Sequence, residues 1–460
     1  MRKLLSMVAT VAIAFTAATA VAEETPTPVD MAKRVKELQD LKWGMFICWS
    51  FSTFSGKEWT PGITDVAFFK PTGCDTDQWA RTAKEAGMGY ILFLTKHHDG
   101  FCLWDTATTE RKVTKGPLAK DVLAAVRKSC DKYGIKLALY FSEGDWNWPG
   151  AIDGKGGKGG SNPEMKKAQL KELCTQYGPI EFFWMDHAVG DGGLSHAETV
   201  AWVKKFQPGC FVGFNSGEAG DLRAGEMGRP GSVKPPCLIG EFTYPIQPRC
   251  PKGAMWFYSV PENENVCEPA ERLYKDYAGA VKYGNIFSLD AGPDYAGKLR
   301  KIDVETLQKV GEMIRNPPPE LVAALAAPPS LAEGKKATAS STWGPGYEAA
   351  KAFDGDDGTR WGAAKDSRSG WLEVDLGQET AFNRAVIDEH QYARTEAFVL
   401  EYKDGDAWKE SARGARIGDR LELKFAPVKA RVVRLNILKA SEVPTIWEFQ
   451  LFNDAAPAKP

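Results

Sequence analysis

The chain reads as an α/β protein, a (β/α)8-type barrel followed by a C-terminal β-sandwich, and three observations predict this. Apolar strand candidates alternate with helix-length segments from Met31 to Arg315, a rhythm that implies parallel pairing. About eight strand candidates can be counted and no glycine-rich dinucleotide fingerprint is present, which favours a barrel over a doubly wound sheet. Past a stretch with five prolines, residues 316 to 330, the pattern changes to short strands and turns through residue 454.

The elements follow in order. Met31 to Asp40 has helical character, and Trp43 to Trp49 is the first strand candidate. Asp75 can cap a helix that runs through Trp79 to Ala86, where Gly87 ends it. Tyr90 to Leu94 is an apolar strand. Asp121 to Tyr133 is helical with Gly134 behind it, and Ile135 to Phe141 is a strand. Asn162 can cap Met165 to Tyr177, and Pro179 bars that helix from continuing. A buried strand then closes on Asp186, the end at which a barrel presents its chemistry. Ser195 can cap Glu198 to Phe206. Cys210 to Phe214, Leu238 to Thr243, Met255 to Tyr258 and Ile286 to Leu289 complete the strands, with Pro269 to Tyr283 helical before the last.

Length and composition bound the function. At 460 residues there is room for two or three domains, and 43% hydrophobic with 26% charged residues is the balance of an ordinary soluble protein. Residues 1–22 differ: Arg2 and Lys3 precede an apolar run, and Ala18-Thr19-Ala20 or Ala20-Val21-Ala22 offers a cleavage site. This predicts a signal peptide and a secreted or periplasmic protein. The run is too short for a membrane span. With 58 basic against 60 acidic side chains, nothing favours a nucleic-acid partner. None of the nine cysteines forms a CxxC pair, so zinc and thioredoxin chemistry are disfavoured. Cys237, Cys250 and Cys267 could form a disulfide after export, with buried thiols the simpler expectation for the others.

The run Gly178-Pro179-Ile180 through Trp184-Met185-Asp186 resembles the α-L-fucosidase family of retaining glycoside hydrolases. Lys96-His97-His98-Asp99-Gly100-Phe101, followed by Leu103-Trp104, is the more specific match. The resemblance covers Met31 to Arg315 and implies that Asp186 is the nucleophile. It implies that His97 and His98 line the sugar pocket; being adjacent on a strand end, their side chains are expected to diverge. Glu58-Trp59 resembles a family turn that touches the sugar, and Trp184 matches a tryptophan that packs against fucose.

Retention needs a second carboxyl. Glu58, Glu143, Glu218, Glu226 and Glu241 all lie near strand ends, and Glu241 is favoured. Its setting ahead of Trp256-Phe257-Tyr258 looks like the subgroup acting on α-1,3/1,4 linkages. One departure stands out: Phe46-Ile47-Cys48-Trp49 places Cys48 where the family has a sugar-binding histidine. A thiol is a poor donor.

Beyond the linker, Ala352-Phe353-Asp354-Gly355-Asp356, Thr359-Arg360-Trp361, Trp371 to Gly377 and Ile446-Trp447-Glu448-Phe449 resemble the discoidin, or coagulation-factor type C, sandwiches, which often bind carbohydrate. The resemblance implies a structural calcium held by Asp354, Asp357, Thr359 and Glu448, whose hard oxygens suit that ion. Tyr392 and Arg394 are candidate glycan contacts. No cofactor is expected for catalysis. The expected function is a secreted retaining α-L-fucosidase that removes terminal α-linked fucose from oligosaccharides or glycoproteins. Cys48 keeps two alternatives open: a carbohydrate-binding protein on an inactive barrel, or a glycosidase shifted to a fucose-like sugar such as galactose.

Overall fold

Eight strands close into one parallel ring: β1 (Trp43–Ile47), β2 (Tyr90–Lys96), β3 (Lys136–Ser142), β4 (Phe182–Asp186), β5 (Phe211–Phe214), β6 (Leu222–Glu226), β7 (Ile239–Pro245) and β8 (Ile286–Asp290). Strand β8 pairs back onto β1, with Phe46 opposite Asp290. The strands read as continuous apolar runs because side chains inside the ring and under the helices are both removed from water. Strands β2 and β7 are buried along their whole length. The computed structural model describes residues 29–152, 157–186, 190–215, 219–226, 233–258, 260–319, 321–322, 330–355, 359–390 and 393–454. The expected signal segment, Glu218, Asp357 and Tyr392 lie outside them.

The helices begin and end where their capping residues dictate. The Asp75 side chain accepts from Gln78 N to start Thr76–Ala86, which stops at left-handed Gly87. Asp121 and Gly134 do the same for Val122–Tyr133. Asn162 accepts from Met165 N to start Pro163–Gln176, and Ser195 and Glu198 bond reciprocally at the head of His196–Phe206. Helices Ala270–Lys282 and Lys301–Arg315 complete the layer; no reading of the sequence had marked the last as helical.

One expected strand is corrected. Residues 255–258 form a bend without ladder partners, and β6 takes that place in the ring. Leu-Arg-Ala-Gly-Glu is too short and polar to announce a strand, whereas Trp256-Phe257-Tyr258 has the composition of one. Those aromatics are apolar because they pack at the barrel mouth, where Phe257 and Tyr258 are buried. Just ahead of β6, Gly220 has φ +91°, and a Cβ there would lie 2.2 Å from Val212 O. Among the described residues no helix separates β5, β6 and β7.

The C-terminal part contains β9 (Lys336–Ala339), β10 (Trp361–Gly362), β11 (Gly370–Asp388), β12 (Thr395–Asp404), β13 (Ala407–Gly414), β14 (Leu421–Ala440), β15 (Thr445–Ile446) and β16 (Glu448–Phe452). The larger sheet runs β13-β12-β14-β11-β16 with β9 on β11; β10 and β15 pair separately. All its pairings are antiparallel. Its core, including Trp361, Leu372, Phe382, Leu435 and Phe449, shares no residue with the barrel core.

The nine cysteines form no disulfide, so the expected bridge among Cys237, Cys250 and Cys267 is replaced by separate thiols. Cys250 Sγ faces Pro248 O at 3.3 Å and Cys267 Sγ faces Thr306 Oγ1 at 3.4 Å. No described helix is long and apolar enough to cross a membrane.

A sheet with its own closed core should fold without the barrel. A fragment beginning at Ser330 is therefore expected to unfold in a single cooperative transition, followed by circular dichroism. A broad, non-cooperative trace would contradict this.

Candidate active site

Asp186 ends β4 and is fixed by its backbone before its side chain does anything. Glu143 N, at the end of β3, donates to Asp186 O at 2.6 Å, and Asn215 N, just past β5, donates to Met185 O at 2.9 Å. Both carboxylate oxygens then accept. Tyr140 OH donates to Oδ2 at 2.7 Å, and Asn215 Nδ2 donates to Oδ1 at 3.2 Å. His98 Nε2 stands 3.5 Å from Oδ2.

The same Asn215 nitrogen donates at 2.8 Å to Glu226 Oε2, at the end of β6. Glu226 is exposed at the mouth, yet the surrounding wall still desolvates its carboxyl, and the charge of Asp186 adds to that; together they push its pKa up to about 7. Glu58 reaches the mouth from the segment after β1. Its Oε2 accepts from Met255 N at 2.7 Å, which pins the aromatic bend over the site, and burial raises its pKa.

The two histidines owe their position to a buried cation. Lys96, the last residue of β2, is fully buried with Nζ 3.3 Å from Asp145 Oδ2, 3.2 Å from Gln169 Oε1 and over the Trp148 ring at 4.1 Å. Just beyond them, Asp99 accepts from Thr60 Oγ1 at 2.6 Å and from Phe101 N at 2.9 Å. Gly100 has φ +75°, and a Cβ there would sit 2.5 Å from the Asp145 carboxylate, so only glycine fits the turn.

The side chains of His97 and His98 do not diverge as expected: their ring centroids are 4.1 Å apart. Strand β2 stops at Lys96, so strand alternation no longer governs them. The Ser142 hydroxyl donates to Gly144 O at 2.7 Å, so its 2.7 Å contact with His98 Nδ1 is one in which the imidazole N–H donates. That leaves Nε2 toward Asp186. His97 Nδ1 is buried without a hydrogen-bond partner, and burial pushes the pKa of the ring well below the usual range, so it is neutral.

The other expected site residues are placed as follows. Cys48, past the end of β1, donates its N–H to Asp290 Oδ1 at 3.2 Å. Its thiol faces the same buried carboxyl, and burial raises the pKa of both groups well above their ordinary values. Trp256 stands edge-on to Phe46 with ring centroids 6.0 Å apart. Trp59 is 47% exposed beside Glu58. Trp184 is buried, stacked on Tyr140 at 5.6 Å, with its indole N–H on Glu241 Oε2 at 2.8 Å.

That last bond locates Glu241, the glutamate favoured as the acid. The register pairs Glu241 with Ala224, two residues below Glu226, so it sits roughly 6–7 Å deeper in the ring. Glu241 is fully buried in the core beneath the pocket, desolvated to a pKa of about 8, and Trp184 takes its carboxyl. Glu143 faces away from the pocket onto the buried Lys166, with Nζ 2.5 Å from Oε1.

Reading the sequence missed Tyr140, Asn215 and Asp290. Asn215 and Asp290 are the polar residues that close β5 and β8, so asking of every strand what it carries at its C-terminal end would have found them.

In the sandwich, Asp354 accepts from the Thr359 hydroxyl at 2.8 Å and lies 3.4 Å from Lys351 Nζ, while Glu448 is buried. No cluster of three or more acidic, His or Cys groups suited to a metal is found among the described residues. Arg394 bonds Thr445 Oγ1 at 3.0 Å.

Residues 9–316 match the family profile described as Alpha-L-fucosidase, and residues 336–449 match the F5/8 type C domain. The chain is 27% identical to Alpha-L-fucosidase 1 of Arabidopsis thaliana over 90% of its own length and 87% of that protein. It resembles the structure of a glycoside hydrolase 29 family member from an unknown rumen bacterium, with TM-score 0.52, 25% identity, and 94% and 78% of the two chains covered. A Ruminococcus gnavus fucosidase solved in complex with fucose aligns with TM-score 0.50 and 20% identity, over 95% and 98% of the two chains. The chain belongs to the α-L-fucosidase family of glycoside hydrolases, with an F5/8 type C domain behind its barrel.

Proposed function

We propose that the barrel is a retaining α-L-fucosidase in which Asp186 is the nucleophile and Glu226, rather than Glu241, is first the acid and then the base. One observation carries the reading. Asp186 Oδ1 and Glu226 Oε2 lie 3.2 and 2.8 Å from the same Asn215 nitrogen, so their separation cannot exceed those two lengths laid end to end. So close an approach of the two nearest oxygens supports the roughly 5–5.5 Å carboxyl spacing of double displacement over the roughly 6.5–9.5 Å of an inverting pair.

Asp186 attacks the anomeric carbon as the bond to the leaving oxygen breaks, and the Glu226 proton passes to that oxygen. The ester on Asp186 is then opened by water, which returns a proton to Glu226. His97 Nδ1, the Glu58 carboxyl and the exposed Trp59 offer the sugar its polar and stacking partners. Preference for α-1,3/1,4 linkages is part of the proposal and rests on the aromatic bend at residues 255–258. Comparing hydrolysis of α-1,2-, α-1,3- and α-1,4-fucosylated trisaccharides tests it. Export by the N-terminal segment, a carbohydrate-binding role for the sandwich and calcium at Asp354, Asp357, Thr359 and Glu448 are proposals of the same standing. N-terminal sequencing of the exported protein, affinity electrophoresis on glycans and the melting temperature with and without chelator check them in turn.

Asp186→Ala should lower turnover by at least about a thousandfold with the fold intact by circular dichroism. Residual activity above a few per cent would rule out its role. Proton NMR in the first minutes should show fucose released as the α-anomer; initial β-fucose would mean inversion.

Glu226 must be protonated to act. Because its pKa is raised to about 7, it holds the proton below that pH and loses it above, so kcat/KM should fall as pH rises through about 7. Glu226→Gln should remove that basic limb and lower the rate on oligosaccharides by about 10²–10⁴. The loss should be smaller for nitrophenyl fucoside, whose leaving group needs no proton. Glu241→Gln should keep the limb and lower the melting temperature.

A further inference from the structure

We propose that Asn215 is a positioning residue that ties the two reacting carboxyl groups into one hydrogen-bonded unit, its side-chain NH2 giving one hydrogen to Asp186 and the other to Glu226. The inference rests on the roles just proposed for those two residues.

The argument starts from where the charge goes. Before the first step the negative charge of the pair is on Asp186 and the proton is on Glu226. As the C–O bond to the leaving group breaks, Asp186 becomes a neutral ester and Glu226, having given up its proton, becomes the anion. The charge has crossed from one carboxyl to the other, and the second step returns it. A donor aimed at one oxygen alone would favour one end of this exchange. An NH2 group bonded to both serves each state without moving, so no reorganisation is needed during the reaction.

The side chain is suited to this in two further ways. It is neutral, whereas a lysine or arginine at the same point would hold both carboxyls ionised and deny Glu226 its proton. It is also short and anchored at its root, because Asn215 N is bonded to Met185 O, one residue before the nucleophile. The spacing between the carboxyls is therefore set by a single amide on the backbone of β5.

The test is made in the full-length protein with nitrophenyl fucoside and one fucosylated trisaccharide. Asn215→Ala should lower kcat ten- to a hundredfold with KM changed less than about threefold. The pH profile separates positioning from mere support. The Asn215 bond favours the charged form of Glu226, so its loss should move the basic limb to higher pH. The other groups facing Glu226 are Asp186 from β4, Glu58 from beyond β1, Cys48 from the end of β1 and Tyr140 from β3; all stay in place in the variant.

Asn215→Asp is the isosteric control. It keeps the shape, removes both donated hydrogens and adds a third carboxyl, so it should lower kcat and move the limb at least as far. It also serves if the alanine variant does not fold. Glu226→Gln is measured alongside. If that variant keeps the basic limb, the assignment of Glu226 has failed rather than that of Asn215. If it loses the limb while a folded Asn215 variant keeps wild-type kcat and an unmoved limb, the positioning role is overturned.

Discussion

Desolvation of carboxyl groups is the constraint on which the rest of the barrel mouth depends. Glu58, Glu143, Glu226, Glu241 and Asp290 all have pKa values raised first of all by burial. Such a crowd is tolerable only if most of its members keep their protons or find a compensating charge. The neighbours follow from this. The groups that touch Asp186 and Glu226 include neutral donors, Tyr140 and Asn215, and the indole beneath them takes up Glu241. The buried cations stand one layer back, Lys96 on Asp145 and Lys166 on Glu143. A site built this way can hold an acid protonated near neutrality beside a nucleophile.

The thiol at Cys48 fits the same frame. Its partner is Asp290, a carboxyl buried at the end of β8, and both groups are driven toward their neutral forms. An imidazole facing that carboxyl would draw it toward ionisation. The cysteine therefore belongs with a different charge arrangement on the β1–β8 side of the pocket, and Asp290 is the residue that marks it.

Much of this was legible in the sequence, and the failures have physical causes. Helix ends were readable because Asp75, Asn162, Ser195, Gly87 and Gly134 satisfy or release backbone groups locally. The place of Asp186 at a strand end was readable because an apolar run closes on it, whereas its role was an implication of the family resemblance. The strand count came out at eight although one member was wrong, since Leu222–Glu226 has no apolar run of its own and is a strand only because its neighbours complete its ladder. Glu226 was among the five candidate glutamates, but Glu241 was favoured for its setting ahead of Trp256-Phe257-Tyr258, and sequence carries no measure of depth in the ring, where Glu241 pairs with Ala224, two residues below Glu226. Asn215 could be picked out as the polar residue that follows β5, but the two carboxyl groups it joins come together only once β4, β5 and β6 stand side by side.

The joint between β5 and β6, beside Gly220, bears on how the barrel breathes. β5 and β6 share two paired positions, Gly213 with Leu222 and Phe214 with Arg223, where β2 and β3 share six. A closed ring parts first at its thinnest joint, and brief local openings there cost less than unfolding the whole. The residues at the top of that joint are Asn215 and Glu226, while Asp186 stays at the end of β4, bonded to Tyr140 and Glu143 on the β3 side. Warming should therefore disengage Glu226, the proposed acid, from Asp186, the proposed nucleophile, while the remaining strands are still paired, with catalysis fading before the fold does and the amide hydrogens of β6 exchanging ahead of those of its neighbours.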